Sequence, residues 1–443
     1  MKKIFLIVAL LLVAAAAFYC NTRKTTVDLI VHNGTVYIVD EAFSTAEAFA
    51  LKDGKILETG ASKAILRKYE ATEVLDLEGA FVYPGLMDPH NHFFGYGRSL
   101  ENADLMGVAS FEEIIEILKN HQQQYPSEWL LGRGWDQNLW PAKEFPHRSQ
   151  LDAVFPDTPV LLTRVDGHAA IANTEALRLA GVAAATKIEG GDVMLQNGEP
   201  TGILIDNAIS LVRRMVPEPT RQNEINALLN AQANTFAVGL TSVSDAGLDA
   251  SEIKLIDSLQ QAGALKTRIY AMLSPSEKNF QAYLYNGPYK TDYLNVRSLK
   301  LFADGALGSR GAKLIEPYSD DPNNSGLLVE TPEYLAEMAR KAFDNGYQVS
   351  THAIGDSANR LMLNIYGEIL KEKNDLRWRI EHSQIIHPDD FDLFGKYSII
   401  PSIQTTHATS DMIWALDRLG AERLKGAYAY QQLLRQNGWL PNG

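Results

Sequence analysis

Residues 83–93 have the sequence YPGLMDPHNHF, which indicates the fold more strongly than any other part of the chain. Pro84-Gly85 closes the preceding segment, and residues 85–90 form a short apolar strand. His90 and His92 end that strand two positions apart, so on an extended backbone both imidazoles face one side and can reach one ion. Barrels of parallel strands present their active-site residues where strands end, so the stretch predicts the first strand of such a barrel.

The rest of the chain repeats this alternation of strand, loop and helix. Apolar strands are predicted at 239–245, 268–273, 298–304, 348–352, 378–382 and 399–404. Helical patterns lie between them, for example at 333–345 and 357–371, which indicates parallel β-α units. The fold class is therefore α/β. It is a TIM-type (β/α)8 barrel that lacks its eighth strand, because residues 430–437 form a helix and the chain then ends at Gly443.

Three further segments surround or precede the barrel. Residues 27–83 alternate in polarity and are predicted to form a small, incomplete β-sandwich module. The barrel covers 84–443, and an insertion domain at about 105–235 separates its first strand from its second. Residues 1–20 combine Lys2 and Lys3 with an apolar run, which is typical of a signal segment.

Composition limits the class of partner and the compartment. The net charge of −13 argues against nucleic-acid binding, which needs a basic surface. Cys20 is the only cysteine, so no disulfide forms within the chain. We expect export, as a periplasmic protein or as a bacterial lipoprotein with a lipid anchor at Cys20; an uncleaved N-terminal anchor is the alternative. A homodimer is a further hypothesis.

Two more histidines repeat the arrangement of the first pair. His352 and His382 each end a predicted barrel strand, and together with His90 and His92 they make four of the ten histidines. Imidazole suits zinc and similar first-row metals, so a divalent metal site, most simply for one or two zinc ions, is predicted. Lys300 lies inside an apolar strand. It either reaches a carboxylate such as Asp304 or is carboxylated to a carbamate that bridges two metals.

The phrases around these residues resemble one family. They are YPGLMDPHNHF, GRGWDQNLWP, DGHAAIANTEAL, KLFADGALGSRGA, THAIGD and RIEHSQ. They resemble the amidohydrolase superfamily, in the YtcJ-like and N-substituted formamide deformylase-like branch (amidohydrolase family 3), over residues 27–443. The resemblance implies that His90, His92, Lys300, His352 and His382 hold metal, with Lys300, His352 and His382 also catalytic. It implies cleavage of a non-peptide C–N bond in a small amide or formamide-like substrate by metal-activated hydroxide.

Seven other residues are candidates for the substrate pocket. They are Trp135, Asp136, Asp166, His168, Asp304, Arg310 and His407. Each has a structural alternative: a packed tryptophan, a helix cap, an ion pair of Arg310 with Glu316, or an ordinary loop histidine.

The family also uses an aspartate at the end of strand eight, and this chain ends before that position. Compared with the family, the chain is expected to be truncated at its C-terminus. Asp389, Asp390, Asp392, Asp411 and Asp417 do not fit the missing position. The alternatives are therefore a lactone or ester hydrolase, a deaminase of the same superfamily, or a catalytically incompetent metal-binding fragment.

Overall fold

A computed structural model describes residues 24–124, 126–217 and 219–443. The predicted signal segment at 1–20, including Cys20, lies outside the described residues. By internal contacts the chain divides into two compact units, Met1–Leu86 and Met87–Gly443. Among the residues described, no helix has the length and apolar character needed to cross a membrane.

The first unit is built from two small sheets and one helix. The elements are β1 (Thr25–His32), β2 (Thr35–Tyr37), β3 (Thr45–Ala46), β4 (Ala48–Lys52), β5 (Lys55–Gly60), α1 (Ser62–Lys68), β6 (Tyr69–Asp76) and β7 (Phe81–Val82). One sheet has the order β5-β4-β1-β6 and the other β3-β2-β7. Ile30, Ala50 and Ile65 belong to the core of this unit and are each at most 1% exposed, because alternate residues of β1 and β4 point toward α1.

The second unit begins with β8 (Leu86–Asn91), which carries His90 and leads directly into α2 (Phe93–Ser99). A six-stranded sheet of order β13-β14-β12-β11-β10-β9 follows in sequence. Its elements are β9 (Ala103–Asp104), α3 (Phe111–Gln124), β10 (Leu130–Trp135), α4 (Ser149–Asp152), β11 (Val160–Arg164), β12 (Ala169–Ala172), α5 (Thr174–Ala180), β13 (Gly191–Gln196), β14 (Glu199–Asp206) and α6 (Asn207–Arg213).

The chain then returns to the β-α alternation. The elements are α7 (Arg221–Ala237), β15 (Leu240–Leu248), α8 (Ala250–Gln261), β16 (Arg268–Leu273), α9 (Glu277–Ala282), β17 (Tyr289–Lys290), β18 (Leu294–Phe302), α10 (Pro332–Asp344), β19 (Gln348–Ala353), α11 (Asp356–Leu370), β20 (Arg379–His382), α12 (Phe391–Tyr397), β21 (Ile400–Ser402), α13 (Thr406–Asp411), α14 (Ala415–Arg423) and α15 (Tyr430–Asn437). Single 3₁₀ turns occur at Gln137–Leu139, Leu284–Asn286, Pro388–Asp390 and Leu424–Gly426.

Seven strands form the barrel sheet in the order β8-β15-β16-β18-β19-β20-β21, with β17 paired to the side of β18. The five strand pairs from β15 to β21 are parallel, so their carboxyl ends lie at the same end of the sheet. The predicted α/β barrel with seven of its eight strands is confirmed.

The last residues of the chain lie where an eighth strand would run. Asn442 forms a parallel bridge with Ile403, just after β21, and Gly443 N donates a hydrogen bond to Ile403 O at 3.0 Å. A Cβ built on Gly443 would lie 3.2 Å from the backbone of His90 on β8. Residues 441–443 therefore occupy one end of the gap between the seventh strand and the first.

Candidate functional site

Four imidazoles meet at the carboxyl ends of the barrel strands. The ring centroid of His90 lies 5.6 Å from that of His92 and 4.7 Å from that of His382. The centroid of His382 lies 4.6 Å from that of His352. Strand register produces this meeting, because His352 on β19 is paired with Glu381 on β20, one residue before His382. The structure thus brings together the four histidines that the sequence singled out.

Lys300 lies on β18 with its side chain fully buried near these rings. Its Nζ has no hydrogen-bond partner and sits 4.8 Å from the ring centroid of Phe302. Burial lowers the pKa of Lys300 to about 8. The charge of Lys300 in turn helps to lower the pKa of all four histidines, which places its amine close to the whole cluster.

His90 is oriented by a carboxylate that the sequence analysis did not select. Glu381 Oε2 accepts a hydrogen bond from His90 Nδ1 at 2.6 Å. Arg379 holds the same carboxylate through its Nε at 2.6 Å and its Nη2 at 2.8 Å. Although burial alone would raise it, the pKa of Glu381 is held well below its usual range by Arg379 and His90. Since the carboxylate can only accept, the proton of His90 is on Nδ1, and its buried Nε2 carries a lone pair with no partner.

His382 and His352 are positioned by neighbouring polar groups. His382 Nδ1 lies 2.7 Å from Gln404 Oε1, which fixes its tautomer in the same sense. Its backbone has φ of 75°, a left-handed conformation that is costly outside glycine and is frequent at functional sites. His352 Nε2 lies 3.3 Å from the carbonyl oxygen of Gly305 and 3.6 Å from Asp304 Oδ1.

The four imidazoles are held in their neutral form. Burial is the largest cause in each case; it lowers the pKa of His92 to about 3 and moves the pKa of His90, His352 and His382 below their usual range. Neutral imidazole is the form that ligates metals. Within residues 24–124, 126–217 and 219–443, however, no three His, Cys, Asp or Glu side chains stand in an arrangement that could hold a metal ion. The rings pack edge to face instead, at interplanar angles of 61° and 70°.

Asp304 and His168 also lie beside this cluster. Asp304 is fully buried and accepts hydrogen bonds from the backbone of Lys313, Ile354 and Gly355. Burial raises the pKa of Asp304 to about 7. The ring centroid of His168 lies 4.8 Å from that of His352.

An aspartate that the sequence analysis did not select holds His168. Asp206 Oδ1 accepts a hydrogen bond from His168 Nδ1 at 2.6 Å. This contact, with the charges of Asp206 and two other carboxylates, outweighs burial and raises the pKa of His168. The second oxygen of Asp206 is buried without a partner, and a Cβ on Gly305 would lie 2.5 Å from it, so only glycine fits there.

Asp136 and Asp166, two of the predicted pocket residues, belong to a buried ion-pair network centred on Arg164. Arg164 is 2% exposed and donates to Asp136, to Asp166 at 2.5 Å and to Gln137 at 2.8 Å. The carboxylates of Asp136 and Asp166 therefore serve as counterions of Arg164. Asp166 also accepts a hydrogen bond from the backbone N–H of His168 at 3.0 Å. This contact connects the network to the loop that carries His168.

The three remaining candidates differ in their placement. Trp135 is fully buried among apolar side chains and donates from Nε1 to Leu162 O at 2.9 Å, so the structure does not bring it to the histidines. Arg310 pairs with Asp320, not with Glu316. His407 does lie beside the cluster, with its ring centroid 5.7 Å from that of His382.

Comparison with known proteins decides the family. The sequence profile of the amidohydrolase family matches residues 73–442, well over half of the chain. The chain belongs to the amidohydrolase family. The resemblance drawn from the histidines, Lys300 and the phrases around them is thereby confirmed.

Curated relatives of this amidohydrolase include proteins from plants and bacteria. Protein LONG AFTER FAR-RED 3 of Arabidopsis thaliana is 35% identical over 436 residues, covering 94% of this chain and 74% of that protein. The putative amidohydrolase YtcJ of Bacillus subtilis is 34% identical, covering 91% and 78%. The N-substituted formamide deformylase of Arthrobacter pascens is 26% identical, covering 81% and 69%.

A solved structure resembles this amidohydrolase over most of its length. It is an uncharacterized metal-dependent hydrolase from Pyrococcus horikoshii OT3, with a TM-score of 0.73 and 30% identity. The match covers 92% of this chain and 80% of that one. Family and neighbour together support a hydrolase.

The residues that sequence analysis missed in this amidohydrolase are those that hold the histidines. They are Arg379, Glu381, Gln404 and Asp206. Arg379 and Glu381 did carry a signal, because an arginine and a glutamate two apart in a buried strand must find partners on the same face. Gln404 and Asp206 carried none, since neither residue type is unusual at the end of a strand.

Proposed function

We propose that this chain is a metal-dependent hydrolase that cleaves a non-peptide C–N bond in a small amide or formamide-like substrate. One observation carries the proposal: four neutral imidazoles cluster near Lys300, and both His90 Nε2 and Lys300 Nζ are buried without partners. Buried polar atoms without partners are costly, and a cation that accepts the lone pair of His90 Nε2 would offset that cost.

By chemical type these donors suit a divalent metal, zinc most simply, although the described rings pack against one another and do not stand in a coordinating arrangement. His90 and His92 would hold it from β8, and His352 and His382 from β19 and β20, with one or two ions. When bound, such an ion activates water and polarises a substrate carbonyl. Glu381 supports the fit because a carboxylate on the distal nitrogen of a ligating histidine orients the ring and increases its basicity.

Lys300 would serve best as a carbamate. With its pKa lowered to about 8, a fraction of the amine is neutral near neutral pH. The nitrogen lone pair attacks carbon dioxide, one N–C bond forms, and a proton leaves to water. The product is an anion that would bridge two cations among the histidines.

Asp304 and His168 have different roles, which follow from their positions in the site. Asp304 braces the loop after β18 and the backbone after His352, so it keeps the imidazole of His352 facing the cluster. His168, supported by Asp206, lies against His352 and is the nearest imidazole with a raised pKa. It is therefore suited to donate a proton to a leaving nitrogen.

The experiment measures metal content and hydrolysis together. The purified chain is reconstituted with zinc, manganese or cobalt, analysed by mass spectrometry for bound metal, and assayed against formamides, acetamides and lactones. We expect stoichiometric metal and amide hydrolysis in the parent, with loss of both in His90→Ala. His147→Ala is the matched control, because His147 lies outside the cluster and its imidazole contacts Ser149, which is not part of the site. Equal metal content in the parent and in His90→Ala would contradict the assignment of His90 as a metal ligand.

The same substrate assays also distinguish the alternative activities from amide hydrolysis. Release of alcohol from lactones or esters without amide turnover would support a lactonase or esterase, and release of ammonia from amino-heterocycles would support a deaminase. Metal binding without turnover of any class would support a non-catalytic metal-binding fragment.

We further propose that the mature protein is exported and acts outside the cytoplasm on scavenged small molecules. The proposal rests on Lys2, Lys3 and the apolar run that precedes Cys20. Fractionation of cells that express the chain, with Cys20→Ala to test lipid attachment, decides between periplasm, membrane and cytoplasm.

A further inference from the structure

Two arginines flank one threonine on the six-stranded sheet. Arg133 on β10 and Thr163 on β11 are partners in the parallel register, so their side chains share one face of the sheet. Arg213, at the end of α6, donates from Nη2 to Thr163 Oγ1 at 2.9 Å. Both arginine side chains therefore lie beside Thr163, on the same face of the six-stranded sheet.

Neither arginine has an acidic partner. Among residues 24–124, 126–217 and 219–443, no carboxylate lies within 4.0 Å of Arg133 or Arg213. Asp166, the carboxylate whose charge bears most on Arg133, is already bound by Arg164. Asp104 is the register neighbour of Arg133 on β9, but its carboxylate accepts from the backbone of Met106. Both arginines are also exposed, so a ligand can reach them.

This pair lies close to the histidine cluster. The guanidinium nitrogens of Arg133 lie 3.5 and 3.6 Å from the Cβ position of Gly167. The next residue, His168, has its ring centroid 4.8 Å from that of His352. The charge of Arg133 also helps to lower the pKa of His92, after burial, Lys300 and His90. A molecule held at Arg133 would therefore extend toward the imidazoles.

We propose that Arg133 and Arg213 form an anion-binding subsite, so that the substrate is an amide that also carries a carboxylate, such as an N-acyl amino acid. The inference rests on the proposed function. Two unpaired guanidinium groups on one face match the planar, bidentate geometry of a carboxylate. Lysine would not offer this geometry, and a neutral amide would leave both charges without a counterion.

The test compares anionic and neutral substrates of equal size. N-formyl and N-acetyl amino acids are assayed beside their carboxamides, in the parent and in Arg133→Gln and Arg213→Gln. We expect kcat/KM in the parent to favour the carboxylates, and each variant to lower it by about 10- to 100-fold for carboxylates only. Arg214→Gln is the matched control, because it removes an exposed positive charge at the adjacent position.

Binding is measured separately from turnover. N-acetylglycine is titrated calorimetrically into the metal-free protein, where we expect about a tenfold or larger rise in Kd in Arg133→Gln. Turnover of amides with no preference for carboxylates, and equal Kd in parent and variant, would overturn the subsite while leaving the proposed function intact. Absence of any amide turnover, with Kd still dependent on Arg133, would overturn the proposed function and retain the subsite.

Discussion

His90 and Glu381, which are 291 residues apart in sequence, are joined by a hydrogen bond of 2.6 Å between Nδ1 and Oε2. The bond connects the first barrel strand to the sixth. Arg379 reinforces it, since its Nη2 donates both to Glu381 and to the carbonyl oxygen of Pro89, next to His90. The tautomer of a candidate metal ligand is therefore set by a buried ion pair on another strand.

Replacement of Glu381 tests this relationship. Glu381→Gln removes the charge that fixes His90 and leaves Arg379 buried without a counterion. We expect metal affinity to fall by about 10- to 100-fold and the free energy of unfolding to fall by about 3–5 kcal/mol. Metal titration and urea denaturation measure the two effects. Glu368→Gln, an exposed glutamate on α11, should change neither. Full metal affinity in Glu381→Gln would mean that the carboxylate does not orient His90.

Lys300 is expected to support metal binding while it lowers the free energy of unfolding. Its pKa of about 8 lies below the unfolded value of 10.5, so the folded state binds fewer protons between these pH values and stability rises with pH across that window. Below it, burial of the ammonium costs up to roughly 3 kcal/mol. In metal-free protein at pH 7, Lys300→Met should therefore unfold at higher urea than the parent, and the difference should shrink toward pH 10.5.

The same variant should hold less metal, because it cannot form the carbamate proposed for Lys300. Denaturation in EDTA and metal analysis without EDTA separate these opposite effects. A variant that is less stable than the parent at pH 7 would show that the Lys300 ammonium has a stabilising partner.

Asp245 should make the stability of the protein fall as the pH rises, which is opposite in sign to the effect of Lys300. Its carboxylate accepts from the backbone of Phe94 at 3.0 Å, and burial raises its pKa from 3.8 to about 7. The folded state therefore binds more protons than the unfolded state between pH 4 and 7, and stability falls as the pH rises through that window. Asp245→Asn should remove this slope, so that its stability relative to the parent improves by up to about 4 kcal/mol from pH 4 to 7.

Asp375→Asn is the control for this measurement, because Asp375 is exposed and paired only with exposed Arg377. Thermal unfolding from pH 4 to 8 follows both variants. Parallel curves for the parent and Asp245→Asn would mean that Asp245 is already ionised at low pH.

The Arg164 network predicts a contrast between a buried and an exposed ion pair. Arg164→Met leaves the carboxylates of Asp136 and Asp166 without their shared cation, so we expect a loss of about 3–5 kcal/mol in unfolding free energy. Arg178→Met breaks a solvent-accessible pair with Glu175 three residues away, and should lower the unfolding free energy much less. Urea denaturation of both variants checks the ranking, and equal losses would contradict it.

Much of the barrel could be predicted from sequence because its signals are local. Apolar runs of strand length and the helical patterns between them, such as 333–345 and 357–371, correspond to β18, β19, α10 and α11. Lys300 was conspicuous because a lysine in such a run must be buried, and the structure buries it fully. Local signals did not reveal which face of β10 points inward, so Trp135 was selected for the pocket although it packs in the core.

The local sequence pattern is enough to show which residues end the barrel strands. It therefore predicts that His90, His92, His352 and His382 lie at one end of the sheet. That follows from periodicity and strand order, which are properties of short segments. The groups that hold the histidines are set by the folded structure: Glu381 for His90, Gln404 for His382 and Asp206 for His168. It also decided that Arg133 stays unpaired while Arg164 is neutralised. Such pairings depend on the register between strands distant in sequence and on the limited space around each side chain, and neither is encoded in any single segment.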